Sequence, residues 1–115
     1  MIGHELRKAE RVRLHLDTVW CVGMETHKGV IRNLSKTGCF VSTVDTVNLR
    51  DMVEVDVNAP AIMRMTVRGA VVHRINGRGF AIRFAKMNVT EQRLLEILVK
   101  MMKERESTTV VSGIS

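Results

Sequence analysis

Proline and aromatic residues are almost missing from this 115-residue sequence, which has one Pro, one Trp, three Phe and no Tyr. A single Pro leaves no material for a stiff linker or a Pro-rich arm, and 45% hydrophobic with 26% charged residues is a globular composition. The length suits one folded domain and is too short for two independent cores. So few aromatic rings also disfavour a surface on which the bases of a long single strand would stack.

Long apolar runs are missing as well. No stretch approaches the roughly 18 uninterrupted apolar residues of a membrane-spanning helix. Glu5 and Glu10 stand where a signal peptide needs an apolar run, so we expect a cytoplasmic protein. The two cysteines, Cys21 and Cys39, lie in apolar surroundings without CxxC spacing. We expect both to be small buried hydrophobic residues and not metal ligands or a redox pair.

Residues that could perform catalysis are scattered along the chain. Its four histidines, which lack metal-ligand spacing, are His4, His15, His27 and His73. None of the sequences GxSxG, HExxH, GxGxxG or a P-loop is present. We therefore expect no enzyme, no cofactor and no metal. The 18 Lys and Arg against 12 Asp and Glu give a net charge of +6, which favours an anionic partner such as a nucleotide, nucleic acid, membrane surface or acidic protein.

Short runs of apolar residues, most of them alternating with polar ones, predict strands with one buried face. The runs are Val12–Leu16, Gly29–Leu34, Cys39–Thr43, Val53–Val57, Met63–Arg68 and Phe80–Phe84. Residues that favour turns lie between several of them, at Lys36–Gly38, Asn58–Pro60 and Asn76–Gly79. About six short strands joined by tight turns indicate an antiparallel sheet, and closing it into a small barrel removes exposed edges.

The period changes near Asn88, where apolar residues begin to recur at helical spacing. These residues are Leu94, Leu95, Ile97, Leu98, Met101 and Met102. Asn88 and Glu91 form the pattern of a capping box, which predicts a helix from about residue 88 to 106. The favoured interpretation buries the apolar stripe against the barrel, and the alternative is a partner-binding face. Residues 107–115 follow neither pattern and are expected to be a mobile tail.

Two arginines, Arg7 and Arg11, lie four residues apart on a short polar arm, residues 1–11, that precedes the first strand. In a helical turn this spacing places both on one side, and in an extended arm they can hold a ligand from two directions. Their planar guanidinium groups suit phosphate or the O6/N7 edge of guanine. The alternative interpretation is a solvated basic terminus.

A second candidate site follows at the next predicted turn, Asn33–Gly38. Leu34 is expected to point inward, so Asn33 and Ser35 present an amide and a hydroxyl side by side on the opposite face. Together these groups can satisfy the donors and acceptors of a purine edge. Lys36 adds positive charge, and Gly38 leaves the backbone free of side-chain bulk. The alternative is an ordinary turn in which Asn33 and Ser35 bond to their own backbone.

The sequence resembles the PilZ domain family. The resemblance rests on the joint occurrence of Arg-x-x-x-Arg, Asn-x-Ser-x-x-Gly, about six predicted strands that can close a barrel, and a terminal helix. The resemblance extends over about residues 6–106, with looser matches at Gly38–Val41, Gly69–Arg74 and Gly79–Phe84. It implies an all-β fold with one C-terminal α-helix, built on a six-stranded antiparallel barrel spanning residues 12–106 with that helix. It also implies the bacterial second messenger cyclic di-GMP (c-di-GMP) as ligand.

Each site residue takes its role from that resemblance. Arg7 and Arg11 would clamp phosphate and guanine, Asn33 and Ser35 would read a guanine edge, and Gly38 would allow close approach of the backbone. Leu6 stands where some members carry a further Arg, which implies one bound nucleotide. The arm would become ordered on binding and relay the signal to an unidentified effector protein.

Two other functions remain open. Some PilZ-like domains act as adaptors without binding nucleotide, and here the last helix or the Met-rich strand from Met63 could be the docking surface. The net charge also permits a small barrel that binds RNA or DNA, although the scarcity of aromatic residues disfavours it.

Overall fold

The computed structural model describes residues 11–114, and the side chains of residues 11–105. Within this range the chain forms six strands followed by one helix. The elements are β1 Val12–Val22, β2 Glu25–Leu34, β3 Gly38–Ser42, β4 Met52–Ala59, β5 Met63–Ile75, β6 Gly79–Phe84 and α1 Val89–Ile114. The prediction of an all-β fold with one C-terminal helix is confirmed. No helix in the described range is both long and apolar enough to cross a membrane.

The strands close into an antiparallel barrel in the order β1-β2-β3-β6-β5-β4. The first and fourth strands complete the ring, where Trp20 pairs with Val55 and Cys21 pairs with Glu54. Closure gives every strand two neighbours, which removes the unpaired edges that an open sheet would expose. The order also places β6 beside β3, so the last strand runs next to the turn between β2 and β3.

The core fills the barrel and extends under the helix. Trp20 and Phe80 are fully buried and meet edge to face, with ring centroids 4.8 Å apart. Leu95 and Leu98 of α1 are equally buried and belong to the same hydrophobic cluster. Each such side chain contributes about 1.5–3 kcal/mol by leaving water. The helix is therefore an integral part of the fold.

The predicted capping box begins α1. Asn88 Oδ1 accepts from the Glu91 backbone N–H at 2.8 Å, and Glu91 Oε1 accepts from the Asn88 backbone N–H at 3.1 Å. The helix then runs to Ile114, past the predicted end near residue 106. Extending a helix adds one hydrogen bond per residue without a new nucleus, so a segment without apolar periodicity can remain helical. The mobility of the tail stays a prediction.

The apolar stripe of α1 divides into two faces. The buried face consists of Leu95, Leu98, Val99 and Met102. The other face is 38–43% exposed and consists of Leu94, Ile97 and Met101. Neighbouring residues on a helix are about 100° apart, so the stripe covers a wider arc than the barrel can contact. Packing against the barrel accounts for the first face only.

The strand predictions fall short in β1. This strand continues to Val22, well beyond the predicted end at Leu16, and a tight turn at Gly23 with φ +60° leads into β2. The run Val19–Val22 is apolar throughout and hides the alternation, yet Trp20 faces the core while Val19 is exposed. Cys21 lies next to Trp20 and points the other way. It is only half-buried, so its predicted burial is wrong, whereas that of Cys39 is confirmed.

Candidate functional site

A cavity of about 610 Å³ opens on the barrel wall built by the end of β2 and by β3, β5 and β6. Of the five residues predicted to bind a ligand, Arg11, Asn33, Ser35 and Gly38 line this cavity. Arg7 lies outside the described residues, as does the rest of the arm before Arg11. The structure thus brings the second motif and one arginine of the first motif to a single place.

Asn33 reaches the cavity because a β-bulge between Ile31 and Asn33 interrupts the alternation of β2, so that Ile31 and Leu34 both face the core although they are three residues apart. Leu34 is fully buried, and half-buried Asn33 precedes it on the opposite face. Asn33 is held in register between Arg13 of β1 and Phe40 of β3. No residue in the described range forms a hydrogen bond with the Asn33 side-chain amide. Its carbonyl oxygen and NH₂ group are available to a bound molecule.

Ser35 behaves differently, because its hydroxyl is engaged within the turn. Ser35 Oγ accepts from the backbone N–H of Thr37 at 3.1 Å and from that of Gly38 at 3.2 Å. Its proton has two acceptors in reach, Thr37 Oγ1 at 3.2 Å and the Gly38 carbonyl oxygen at 3.3 Å. This is the turn bonded to its own backbone that the sequence left open as an alternative. For Ser35 the geometry shows a side chain that fixes the shape of the turn.

Gly38 is required by the packing of the barrel. A Cβ at this position would lie 2.3 Å from the carbonyl oxygen of Ile82, on the backbone of β6. Strand β3 can approach β6 this closely only because Gly38 has no side chain. The backbone of the turn is tied to β6 as well, since Phe84 N–H donates to the Thr37 carbonyl at 2.8 Å.

Two arginines give the cavity positive charge and a histidine adds an imidazole ring, and of these three residues only Arg11 belongs to a sequence motif. Arg11 is exposed just ahead of β1, His73 comes from β5 and Arg83 from β6. No Asp or Glu in the described range lines it. Arg83 belongs to the outward-facing positions of β6, but only the barrel order shows that β6 lies against the motif strand.

The described residues of the cavity provide neither a reactive thiol nor a metal centre. Cys39 lines it, but burial raises the pKa of this thiol to about 12 and keeps it uncharged at neutral pH. Among the described residues, no group of three or more His, Cys, Asp and Glu side chains is placed to hold a metal ion. The residues that line the cavity provide hydrogen-bonding groups and positive charge. These groups suit the binding of an anion with polar edges.

The fold and the cavity define a class of protein, namely a six-stranded antiparallel barrel with a terminal helix and a basic cavity on its wall. The PilZ domain model matches residues 5–100, and the chain belongs to the PilZ domain family. A comparison with curated proteins found no match.

Solved structures share the fold at low sequence identity. The PilZ domain of YcgR from Escherichia coli with c-di-GMP is 15% identical, with 92% of this chain and 97% of that chain covered and a TM-score of 0.78. The inhibitor of motility MotI/DgrA from Bacillus subtilis is 15% identical, with 86% and 51% covered and a TM-score of 0.73. The K. pneumonia MrkH–c-di-GMP complex is 16% identical, with 89% and 55% covered and a TM-score of 0.71. The present chain thus spans about half the length of MotI and MrkH.

Proposed function

We propose that this PilZ domain is a cytoplasmic receptor for c-di-GMP that acts by binding and not by catalysis. The observation that carries the proposal is that four of the predicted site residues line one cavity, namely Arg11, Asn33, Ser35 and Gly38. Among the described residues, no Asp or Glu lines this cavity. The ligand has two phosphates and two guanines, so it needs cationic donors and groups that match a purine edge. PilZ structures such as those of YcgR and MrkH, which hold c-di-GMP, support the choice of ligand.

The side chains have separate roles in this proposal. Arg11, with Arg7 from the arm, binds phosphate and the O6/N7 edge of a guanine. Asn33 reads a guanine edge with an amide that has no partner among the described residues. Ser35 places the turn on which the guanine rests, and Gly38 keeps the backbone there close and unobstructed. Leu6, in place of the further Arg of some members, favours one bound nucleotide over an intercalated pair.

Signal output in this proposal depends on the arm, residues 1–11. Binding orders the arm over the ligand, because Arg7 and Arg11 gain an anionic partner that offsets the entropy lost. The ordered arm then presents a new surface to a separate effector protein. Hydrogen exchange across residues 1–11, with and without c-di-GMP, tests this step. Unchanged protection in a protein that binds the ligand would leave the receptor role intact and overturn the arm switch.

A second candidate function is that of an adaptor that acts by protein contact alone. The observation that favours it is the exposed apolar face of α1, formed by Leu94, Ile97 and Met101. Exposed Leu, Ile and Met side chains in one row are typical of helix faces that dock on a partner. An adaptor needs no nucleotide, so ligand titration separates the two functions.

Isothermal titration with c-di-GMP at near-physiological salt tests the proposal, with GTP and cyclic di-AMP as control ligands. We expect selective binding with a dissociation constant in the low micromolar range or below, about −8 kcal/mol or better. The Arg11→Ala variant is expected to lose most of this binding. No heat from the wild-type protein, together with an unshifted melting temperature, would overturn the receptor function and favour the adaptor.

A further inference from the structure

Arg83 lies beside the motif turn although it belongs to neither motif. On β6 it pairs with Gly38 of β3 on one side and with Ala70 of β5 on the other. Ile82 is buried and Arg83 is exposed, so the guanidinium side chain stands on the outer wall of the barrel. There it lines the candidate ligand cavity.

The surroundings of Arg83 leave its side chain room to serve a ligand. Its cross-strand neighbours are Gly38 and Ala70, and the residue two positions earlier on the same face of β6 is Ala81. Side chains directly opposite on neighbouring strands are normally in contact. Here the neighbouring residues are among the smallest, so their side chains leave the space around the Arg83 side chain open.

The guanidinium group of Arg83 also lacks a partner in the described range, unlike those of Arg64 and Arg74. Arg64 binds both carboxylate oxygens of Asp56, at 3.1 and 3.3 Å. Arg74 donates to the Val47 carbonyl at 2.8 Å. Within the described range, the guanidinium group of Arg83 forms no hydrogen bond and no ion pair. The described residues that line this cavity include no carboxylate either. An unpaired guanidinium group in such surroundings attracts an anion.

A second cavity, of about 380 Å³, adjoins the first and shares Thr37 and Arg83 with it. Lys36 also lines this cavity, and its Nζ lies 3.8 Å from Glu96 Oε2 of α1. That lysine already has a partner, whereas Arg83 has none in the described range. Of these two cations beside the motif turn, Arg83 is the one whose charge has no counter-ion among the described residues.

We infer that Arg83 is a further ligand-binding residue, which holds the phosphodiester of c-di-GMP that the Arg7–Arg11 pair does not hold. The inference rests on the proposed function. Strand order places Arg11, ahead of β1, and Arg83, on β6, on opposite sides of the β2–β3 turn. A cyclic dinucleotide seated over that turn carries a phosphate on each side of its ring. Two guanidinium groups that approach from opposite sides neutralise both phosphates at once.

Isothermal titration of Arg83→Ala with c-di-GMP tests the inference. We expect affinity about tenfold to a hundredfold weaker than wild type, the loss that follows from removing charge-assisted hydrogen bonds. The matched control is Arg78→Ala, which removes the same charge from a residue of the β5–β6 turn that does not line the cavity, and we expect a change of less than about threefold. Arg83→Lys keeps the charge without the planar fork and is expected to recover only part of the affinity.

Salt dependence provides a second readout that a merely structural role would not move. The affinity of Arg83→Ala should fall less steeply with rising salt than that of the wild type, because one screened ion pair is gone. Equal affinities for Arg83→Ala and Arg78→Ala, in a protein whose wild type binds c-di-GMP, would overturn the inference and leave the receptor function standing. A wild type that does not bind would overturn both.

Discussion

The two sides of the candidate site are built in different ways. In the turn that contains Ser35 and Gly38, the polar groups are bonded to one another and the backbone is packed against β6. Arg11 and Arg83, on either side of the turn, are exposed, and their guanidinium groups form no hydrogen bond or ion pair with the described residues. The turn has a fixed shape before any ligand binds. The two arginines provide the electrostatic attraction for an anionic ligand. A preformed turn lowers the ordering cost of binding, since only the long side chains remain to be fixed.

Gly38→Ala should produce the largest effect, and that effect should be on stability. The added methyl group would meet the Ile82 carbonyl oxygen, which is backbone and cannot rotate away. Strands β3 and β6 must separate, so we expect a loss of about 3 kcal/mol or more in the free energy of unfolding, measured by urea denaturation.

The matched control for this variant is Gly77→Ala. Its Cβ would have nothing within 4 Å, and only the φ of 76° disfavours it. The expected cost is about 1 kcal/mol. Similar losses for the two variants would show that close packing of β3 on β6 is not what requires Gly38.

Arg11→Ala should show the opposite pattern, with a large loss of affinity and little loss of stability. Removing its charge-assisted hydrogen bonds is expected to cost about 1.5–3 kcal/mol of c-di-GMP binding, or one to two decades in the dissociation constant. The free energy of unfolding should change by less than about 0.5 kcal/mol, because the side chain is exposed. Titration and urea denaturation measure the two quantities. If Arg11→Ala unfolded as easily as Gly38→Ala, the arginine would be structural.

Ser35→Ala should lower stability less than Gly38→Ala and affinity less than Arg11→Ala. It leaves the N–H groups of Thr37 and Gly38 without their acceptor in a part-buried turn, which is expected to cost about 1–2 kcal/mol of stability. Affinity should fall less than in Arg11→Ala, because the turn loosens but the charges remain. Ser42→Ala is the control and should be nearly neutral, because the half-buried Ser42 hydroxyl in β3 forms no hydrogen bond in the described range. A greater loss of affinity than in Arg11→Ala, with stability unchanged, would show that the Ser35 hydroxyl contacts the ligand.

Local patterns in the sequence predict most of the fold. Alternation marks the strands, Asn88 and Glu91 mark the start of the helix, and Asn33–Gly38 marks the turn at the cavity. Each of these signals depends on neighbours within a few residues. The alternation does not reveal the C-terminal half of β1, because Val19–Val22 is uniformly apolar. In the closed barrel only one face of this segment is buried.

The site is predictable only where its residues belong to one motif. Arg83 comes beside Gly38 because β6 follows β3 around the barrel, and that neighbour relation depends on the pairing of all six strands. No local spacing encodes it. The same holds for the bonding of Ser35, since the sequence allows its hydroxyl to face a ligand or its own backbone. The geometry of the turn decides between them.

Glu96→Gln should have the smallest effect, and its sign is informative. Glu96 pairs with Lys36 at 3.8 Å, but the two side chains are 56% and 50% exposed, so the pair should contribute under about 0.5 kcal/mol to stability. Glu96 lines the second cavity, which shares Arg83 and Thr37 with the first. Removing its negative charge should therefore strengthen c-di-GMP binding by about twofold to threefold, most clearly at low salt. Weaker binding in Glu96→Gln would instead show that the pair holds Lys36 in place for the ligand, which would assign part of the attraction to the turn itself.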